Sequence, residues 1–78
     1  MRIQPKLLRK GDEVRLIREA VYVNETLYKG EHFIVDSVGS RGPNLHNGFD
    51  LFIECSFMLP DLEVKANNGK WVSVMEGY

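Results

Sequence analysis

The chain has 78 residues, 44% of them hydrophobic, and ten lysines and arginines against eleven aspartates and glutamates leave a net charge of −1. A chain this short holds one domain and one small core, burying only about 60% of the surface its unfolded form exposes, and a composition this apolar and near-neutral excludes both a disordered chain and a strongly basic nucleic-acid binder of the usual kind. The single cysteine, Cys55, excludes an internal disulfide framework and a multi-cysteine zinc site, and no run reaches the ~18 apolar residues of a membrane span.

The N-terminal stretch "MRIQPKLLRKGDE" is positively charged but lacks the apolar run of ~7–15 residues that a signal peptide requires. With one thiol and no leader of that kind, a cytoplasmic protein without a membrane partner is expected. Residues 1–18 contain six positive side chains, among them Arg9, Lys10, Arg15 and Arg18, against Asp12 and Glu13. That is a local charge of +4, which leaves −5 for the rest of the chain. Residues 1–6 are expected to form a flexible basic arm on a single domain spanning 1–78, and the basic segment suits an anionic partner.

Gly11-Asp12 opens a segment in which Val14 and Leu16 alternate with Glu13 and Arg15, the pattern of a half-buried strand. The stretch "VRLIREAVYVNETLY" also offers Val14, Ile17 and Val21 at helical spacings, so a short helix near residues 13–22 is the alternative, which would make the fold α+β. Otherwise Arg18 to Tyr28 is a long loop. A second strand, His32 to Val38, follows Lys29-Gly30; its two faces are not cleanly separated, which places it in the middle of a sheet.

The next stretch, "VGSRGPNLHNGF", reads as a flexible connection whose donors Arg41, Asn44, His46 and Asn47 give it some capacity to bind. It lacks the glycine, lysine and serine or threonine order of a phosphate-cradling loop. In "FDLFIECSF" a third strand places Leu51, Ile53, Cys55 and Phe57 on one face until Pro60 ends it. "DLEVKA" alternates Leu62 and Val64 with Glu63 and Lys65, and "WVSVM" follows "NNGK". Asn68-Gly69 between alternating runs predicts a hairpin with a tight primed turn, positive φ being needed at both central positions.

Two stretches echo each other: "LRKGDEVRLI" from Leu8 and "LYKGEHFIVD" from Leu27. Each Lys-Gly stands at the entrance to a strand, where the glycine permits a bend that other residues resist. "KGDEVRLI" followed after a long loop by "YKGEHFIVDSV" resembles the opening of small SH3-like barrels, the group that includes KOW and Tudor modules, over roughly residues 7–38. The resemblance implies an all-β fold, a small five-stranded barrel, with exposed residues on the first long loop.

Catalytic and metal constellations are missing from the sequence. His32 and His46 do not show paired ligand spacing, Cys55 shares a face with Leu51 and Ile53, and Asp12 and Glu13 point apart on a strand. No enzyme, metal or cofactor is expected. Aromatics remain: Tyr22 and Tyr28 in the first long loop and Trp71 at the head of the last strand suit a groove for a peptide or a stacked base. The expected function is a non-enzymatic binding module, a small protein-interaction, accessory or inhibitor protein of the kind encoded by phages and mobile elements, acting as a monomer or as a homodimer through an exposed strand edge. The alternative is a nucleic-acid binder with Arg2, Lys6, Arg9, Lys10, Arg15 and Arg18 on phosphates and Tyr22, Tyr28 or Trp71 on bases, Arg41 being a further binding candidate for either kind of partner.

Overall fold

The computed structural model describes residues 2–3, 7–40, 42–54 and 62–74. Its framework starts at the two echoed turns. In the first, Asp12 N donates to Arg9 O at 3.0 Å and the Asp12 carboxylate accepts from Arg9 N at 2.8 Å. In the second, Glu31 N donates to Tyr28 O at 3.1 Å and the Glu31 carboxylate accepts from Tyr28 N at 2.8 Å. Gly11 (φ 94°) and Gly30 (φ 89°) occupy the third position of each turn, and a positive φ there alone defines a type II turn, which favours glycine because it has no Cβ.

Each turn launches a strand. Among the described residues the strands are β1 (Arg2–Ile3), β2 (Glu13–Leu16), β3 (Ala20–Tyr22), β4 (Glu25–Leu27), β5 (His32–Gly39), β6 (Gly42–His46), β7 (Phe52–Ile53), β8 (Leu62–Lys65) and β9 (Trp71–Val74). Seven of them form one sheet in the order β1-β9-β8-β2-β5-β6-β7, antiparallel throughout except for the β1–β9 pair, while β3 and β4 form a separate hairpin. The two turns close opposite ends of the β2–β5 ladder: Gly11 N donates to Val35 O, and Gly30 N donates to Leu16 O. Residue pairs Val14/Phe33 and Leu16/Val35, each nineteen positions apart, are therefore equivalent, and all four are buried.

One face of the sheet supplies the core. Val14 and Leu16, Phe33 and Val35, Leu45, Ile53, Leu62 and Val64, and Val74 belong to one buried cluster with Leu8 and with Leu27 of the hairpin. Two-residue alternation produces this segregation most clearly on β2 and β8. A bulge between Val35 and Ser37 shifts the alternation of β5 by one, so that Val38 and not Ser37 packs against the core. Because strands at both ends of the sheet meet in one cluster, the sheet is bent around it, and the hairpin is tied on by Glu54 N, which donates to the Tyr22 hydroxyl at 3.1 Å.

The protein is all-β, yet it departs from the sequence expectation in several places. The sheet is open where a closed five-stranded barrel was expected: among the described residues no ladder joins β1 to β7. Both end strands are two residues long and offer too few backbone groups to zip a barrel shut. Residues 13–22 contain β2 and the start of the hairpin in place of a helix, because Val21 and Tyr22 pair with Thr26 and Glu25. The loop expected from Arg18 to Tyr28 is thereby largely structured. Residues 42–46, read as part of a flexible connection, form β6, whose ladder with β5 is held by the fully buried Leu45 despite Gly42 and Pro43.

Finally, the turn between β8 and β9 is not a primed two-residue turn. Gly69 has φ 82° but Asn68 does not share the positive φ; Gly69 N donates to Ala66 O and Ala66 N to Lys70 O. This is a three-residue loop with glycine in the left-handed position, a common hairpin in which the asparagine side chain adds a bond of its own, Asn68 Oδ1 accepting from Lys70 N at 3.0 Å. Arg2 and Ile3, placed by the sequence in a basic arm, pair with Ser73 and Val74. Lys6, Arg41, Cys55 and Phe57 lie outside the described residues.

Candidate functional site: an aromatic and charged cluster on the outer face

The face of the sheet that turns away from the core carries polar and aromatic residues for the same reason that the other face carries the core, since neighbours along a strand point to opposite sides. Arg15 on β2 is paired across the ladders with His32 on β5 and with Glu63 on β8. Directly opposed residues have Cβ atoms about 4.5–5.5 Å apart, so these three side chains share one row. The Arg15 guanidinium binds one oxygen of Glu63 through two nitrogens, Nε at 2.8 Å and Nη2 at 2.7 Å. His32 Nδ1 lies 2.6 Å from Glu13 Oε2, a contact that needs the ring proton at Nδ1 because a carboxylate only accepts.

Trp71, on β9 opposite Lys65 and two residues from the Ser73 that faces Glu63, leans over this row. The Arg15 guanidinium carbon sits 4.2 Å from the centre of the indole, a cation–π distance, and the His32 ring meets the indole edge-on with centroids 5.3 Å apart at 80°. Arginine suits this position because its planar guanidinium stacks on the ring while its fork still reaches a carboxylate. The cluster borders an open cleft of about 300 Å³ lined by Arg15, Ile17, Lys29, Gly30, His32 and Glu63. Lys29 and Gly30 arrive there through the second echoed turn, and the exposed Lys29 ammonium has no partner among the described residues.

Of the residues singled out from the sequence, the structure brings Arg15 and Trp71 together and distributes the others. Arg9 and Lys10 are exposed in the turn before β2, and Arg18 is exposed after it, so the basic residues lie beyond opposite ends of the strand. Tyr22 is half-buried, packed against the core, with its hydroxyl on the hairpin bond to Glu54 N. Tyr28 is 58% exposed at the start of the second turn; the ring that meets Trp71 is His32, not Tyr22 or Tyr28. Arg41 lies outside the described residues.

Sequence reasoning missed His32, Glu13 and Glu63. The sequence marks His32 only as lacking the paired spacing of a metal ligand, yet the echo holds a signal: pairing the two echoed strands antiparallel with their turns at opposite ends places Arg15 across from His32. Among the described residues no group of three or more histidine, cysteine, aspartate or glutamate side chains is arranged to hold a metal, and no helix is long and apolar enough to cross a membrane. Comparison with known proteins found no matching family model and no match among curated proteins or solved structures.

Proposed function

We propose that the chain is a non-enzymatic binding module that engages a protein partner through the outer face of its sheet. The observation that carries this reading is the stack of Arg15 on Trp71, with His32 at the indole edge, on the border of an open cleft. Tryptophan and arginine are the side chains most often found at the energetic centre of protein interfaces, where they supply large contact area and directional bonds together. Here Glu63 and Glu13 hold the arginine and the histidine in place, so a partner would meet a preorganised surface and lose little side-chain entropy on binding.

Two features favour protein over nucleic acid. Arg15 and His32, the basic groups nearest Trp71, already face carboxylates, and Arg9 with Lys10 lie beyond the end of β2 opposite to Arg18. A chain that tracks a phosphate backbone uses a continuous row of unpaired cations. The finer fold reading is an SH3-like module in open form: the excursion between β2 and β5 and the return of β8 to β2 support that kinship. A cytoplasmic accessory or inhibitor protein, working as a monomer or pairing through a strand edge, fits the size and the two short edges of the sheet.

The test is to recover partners from the native host with tagged protein under matched conditions, comparing wild type with Trp71→Ala and Arg15→Ala. The expected result is loss of the same partner in both variants while Lys70→Ala retains it. Equal recovery by all four proteins overturns the proposed surface. Gel-shift titrations with single- and double-stranded DNA and RNA at two salt concentrations address the alternative: a shift that weakens steeply with salt replaces protein with nucleic acid as the ligand.

A further inference from the structure

A second surface, remote in composition from the Trp71 cluster, lies where the β3–β4 hairpin meets the loop between β6 and β7. An open cleft of about 240 Å³ runs between them, lined by Glu25, Thr26 and Leu27 of the hairpin, by Glu31 of the turn that follows it, and by Asn47, Asp50 and Leu51. Val21 stands opposite Thr26 on the outward side of the hairpin and is 63% exposed; Val23, in the hairpin turn, is 76% exposed. Phe49, which precedes the cleft-lining Asp50 in the chain, is 93% exposed. This ring is not at the tip of a loose loop: Asn47 Oδ1 accepts from Phe49 N at 2.8 Å and from Leu51 N at 3.3 Å, and Asn47 N donates to Leu51 O. A solvated phenylalanine forfeits the gain of burying its ring, and exposed apolar side chains beside polar ones mark interaction sites on small proteins.

The charge of the surroundings selects the occupant. Residues 19–28 hold Glu19 and Glu25 and no lysine or arginine, and residues 42–54 hold Asp50 and Glu54 and again none. Neither Glu25 nor Asp50 has a partner among the described residues, and both face the cleft. We infer that this surface docks an extended, basic peptide segment of a partner protein, with a lysine or arginine between the Glu25 and Asp50 carboxylates and flanking apolar side chains against Val21, Val23 and Phe49. Like-charge juxtaposition turns away acidic segments and nucleic acid, which gives the surface its selectivity. It is a different surface from the Trp71 cluster, and its fate is independent of that reading.

The probe is a short synthetic peptide with a central lysine between leucine and phenylalanine residues in a serine background, and a matched peptide with glutamate at the centre. Amide chemical shifts of the full chain, followed during titration, give both affinity and location. The lysine peptide should move signals of residues 20–27 and 47–51, and the glutamate peptide should bind about tenfold more weakly. Phe49→Ser should weaken the lysine peptide by about tenfold, and Glu25→Gln with Asp50→Asn by about fivefold. Trp71→Ala should leave its affinity unchanged, which separates failure here from failure of the proposed function. The inference is overturned by absence of binding at millimolar peptide, by equal affinity for the two peptides, by shifts confined to the Trp71 face, or by an unaltered Phe49→Ser variant. It is also overturned if light scattering shows self-association that Phe49→Ser abolishes, since a second copy would then be the occupant.

Discussion

The turns Arg9–Asp12 and Tyr28–Glu31 are built alike and serve different surroundings. Both use lysine and then glycine at their centre and an acid at the end, whose carboxylate closes back on the first residue, and both feed a strand whose inward residues are buried. The first is entered from Leu8 and opens beside a cleft lined by Ile3, Leu7 and Ala66; the second is entered from Leu27, at the end of a hairpin, and opens on the cleft beside Arg15. Aspartate and glutamate reach the same kind of amide at the same 2.8 Å, so the extra methylene is absorbed without changing the bond. What repeats is therefore the device that ends one ladder and starts a strand. What each turn presents to solvent is decided by the chain that leads into it.

The largest effect that would separate the two copies lies in the leucines before them. Leu27 is 1% exposed and Leu8 5%, and both belong to the core cluster. Leu27→Ala should cost about 3–4 kcal/mol, in the middle of the range for deeply buried leucines, and Leu8→Ala about 2 kcal/mol, because a site closer to solvent can collapse or hydrate. Chemical denaturation measures both. Equal losses would mean that the hairpin contributes no more to the core than the N-terminal segment does.

The glycines should show how far the likeness goes. A Cβ built on Gly11 or on Gly30 meets nothing within 4 Å, so substitution by alanine is opposed only by the left-handed backbone. Each of Gly11→Ala and Gly30→Ala should destabilise by about 1–2 kcal/mol, and the double variant by their sum, since the turns sit at opposite ends of the β2–β5 ladder. A neutral Gly11→Ala beside a costly Gly30→Ala would break the equivalence. The hairpin turn offers the reverse experiment. Val23 adopts φ 55°, which a β-branched residue rarely tolerates, and it is exposed. Val23→Gly relieves that strain at some cost in backbone entropy, so a gain of about 0.5–1 kcal/mol is expected, read as a rise in thermal midpoint of a few degrees.

Much of the fold is legible in the residues themselves. Val14 and Leu16, Leu62 and Val64 segregate by two-residue period, and Gly11, Gly30 and Gly69 mark bends that the backbone confirms. The illegible parts have physical causes. The β3–β4 hairpin turns at Val23-Asn24, where no glycine signals a reversal, so its only mark is strain that tertiary contacts such as the Tyr22–Glu54 bond sustain. Strand β6 hides behind Gly42, Pro43 and Asn44, residues that propensity assigns to loops, because pairing with the long β5 and burial of Leu45 outweigh local preference. In the candidate site, Arg15 and Trp71 are visible as residue types; their meeting depends on register across three strands, from β9 through β8 to β2, which no local pattern encodes.

The smallest predicted losses are also the most specific to the echo. In each turn the acid is an exposed-side acceptor, and an exposed hydrogen bond of this kind contributes about 0.5–1 kcal/mol, because water competes for both partners. Asp12→Ala and Glu31→Ala should each cost that much. Asp12→Asn and Glu31→Gln keep an acceptor oxygen within reach and should recover most of the loss, which separates the geometry of the bond from its charge. If the amides fail to recover it, the charge is the operative feature, and the free lysines Lys10 and Lys29 in the middle of the two turns are its natural counterparts. In that case raising the salt concentration should erase the difference between the acid and the amide in both copies, leaving the hydrogen-bonded turns equal and the glycines alone responsible for the bend.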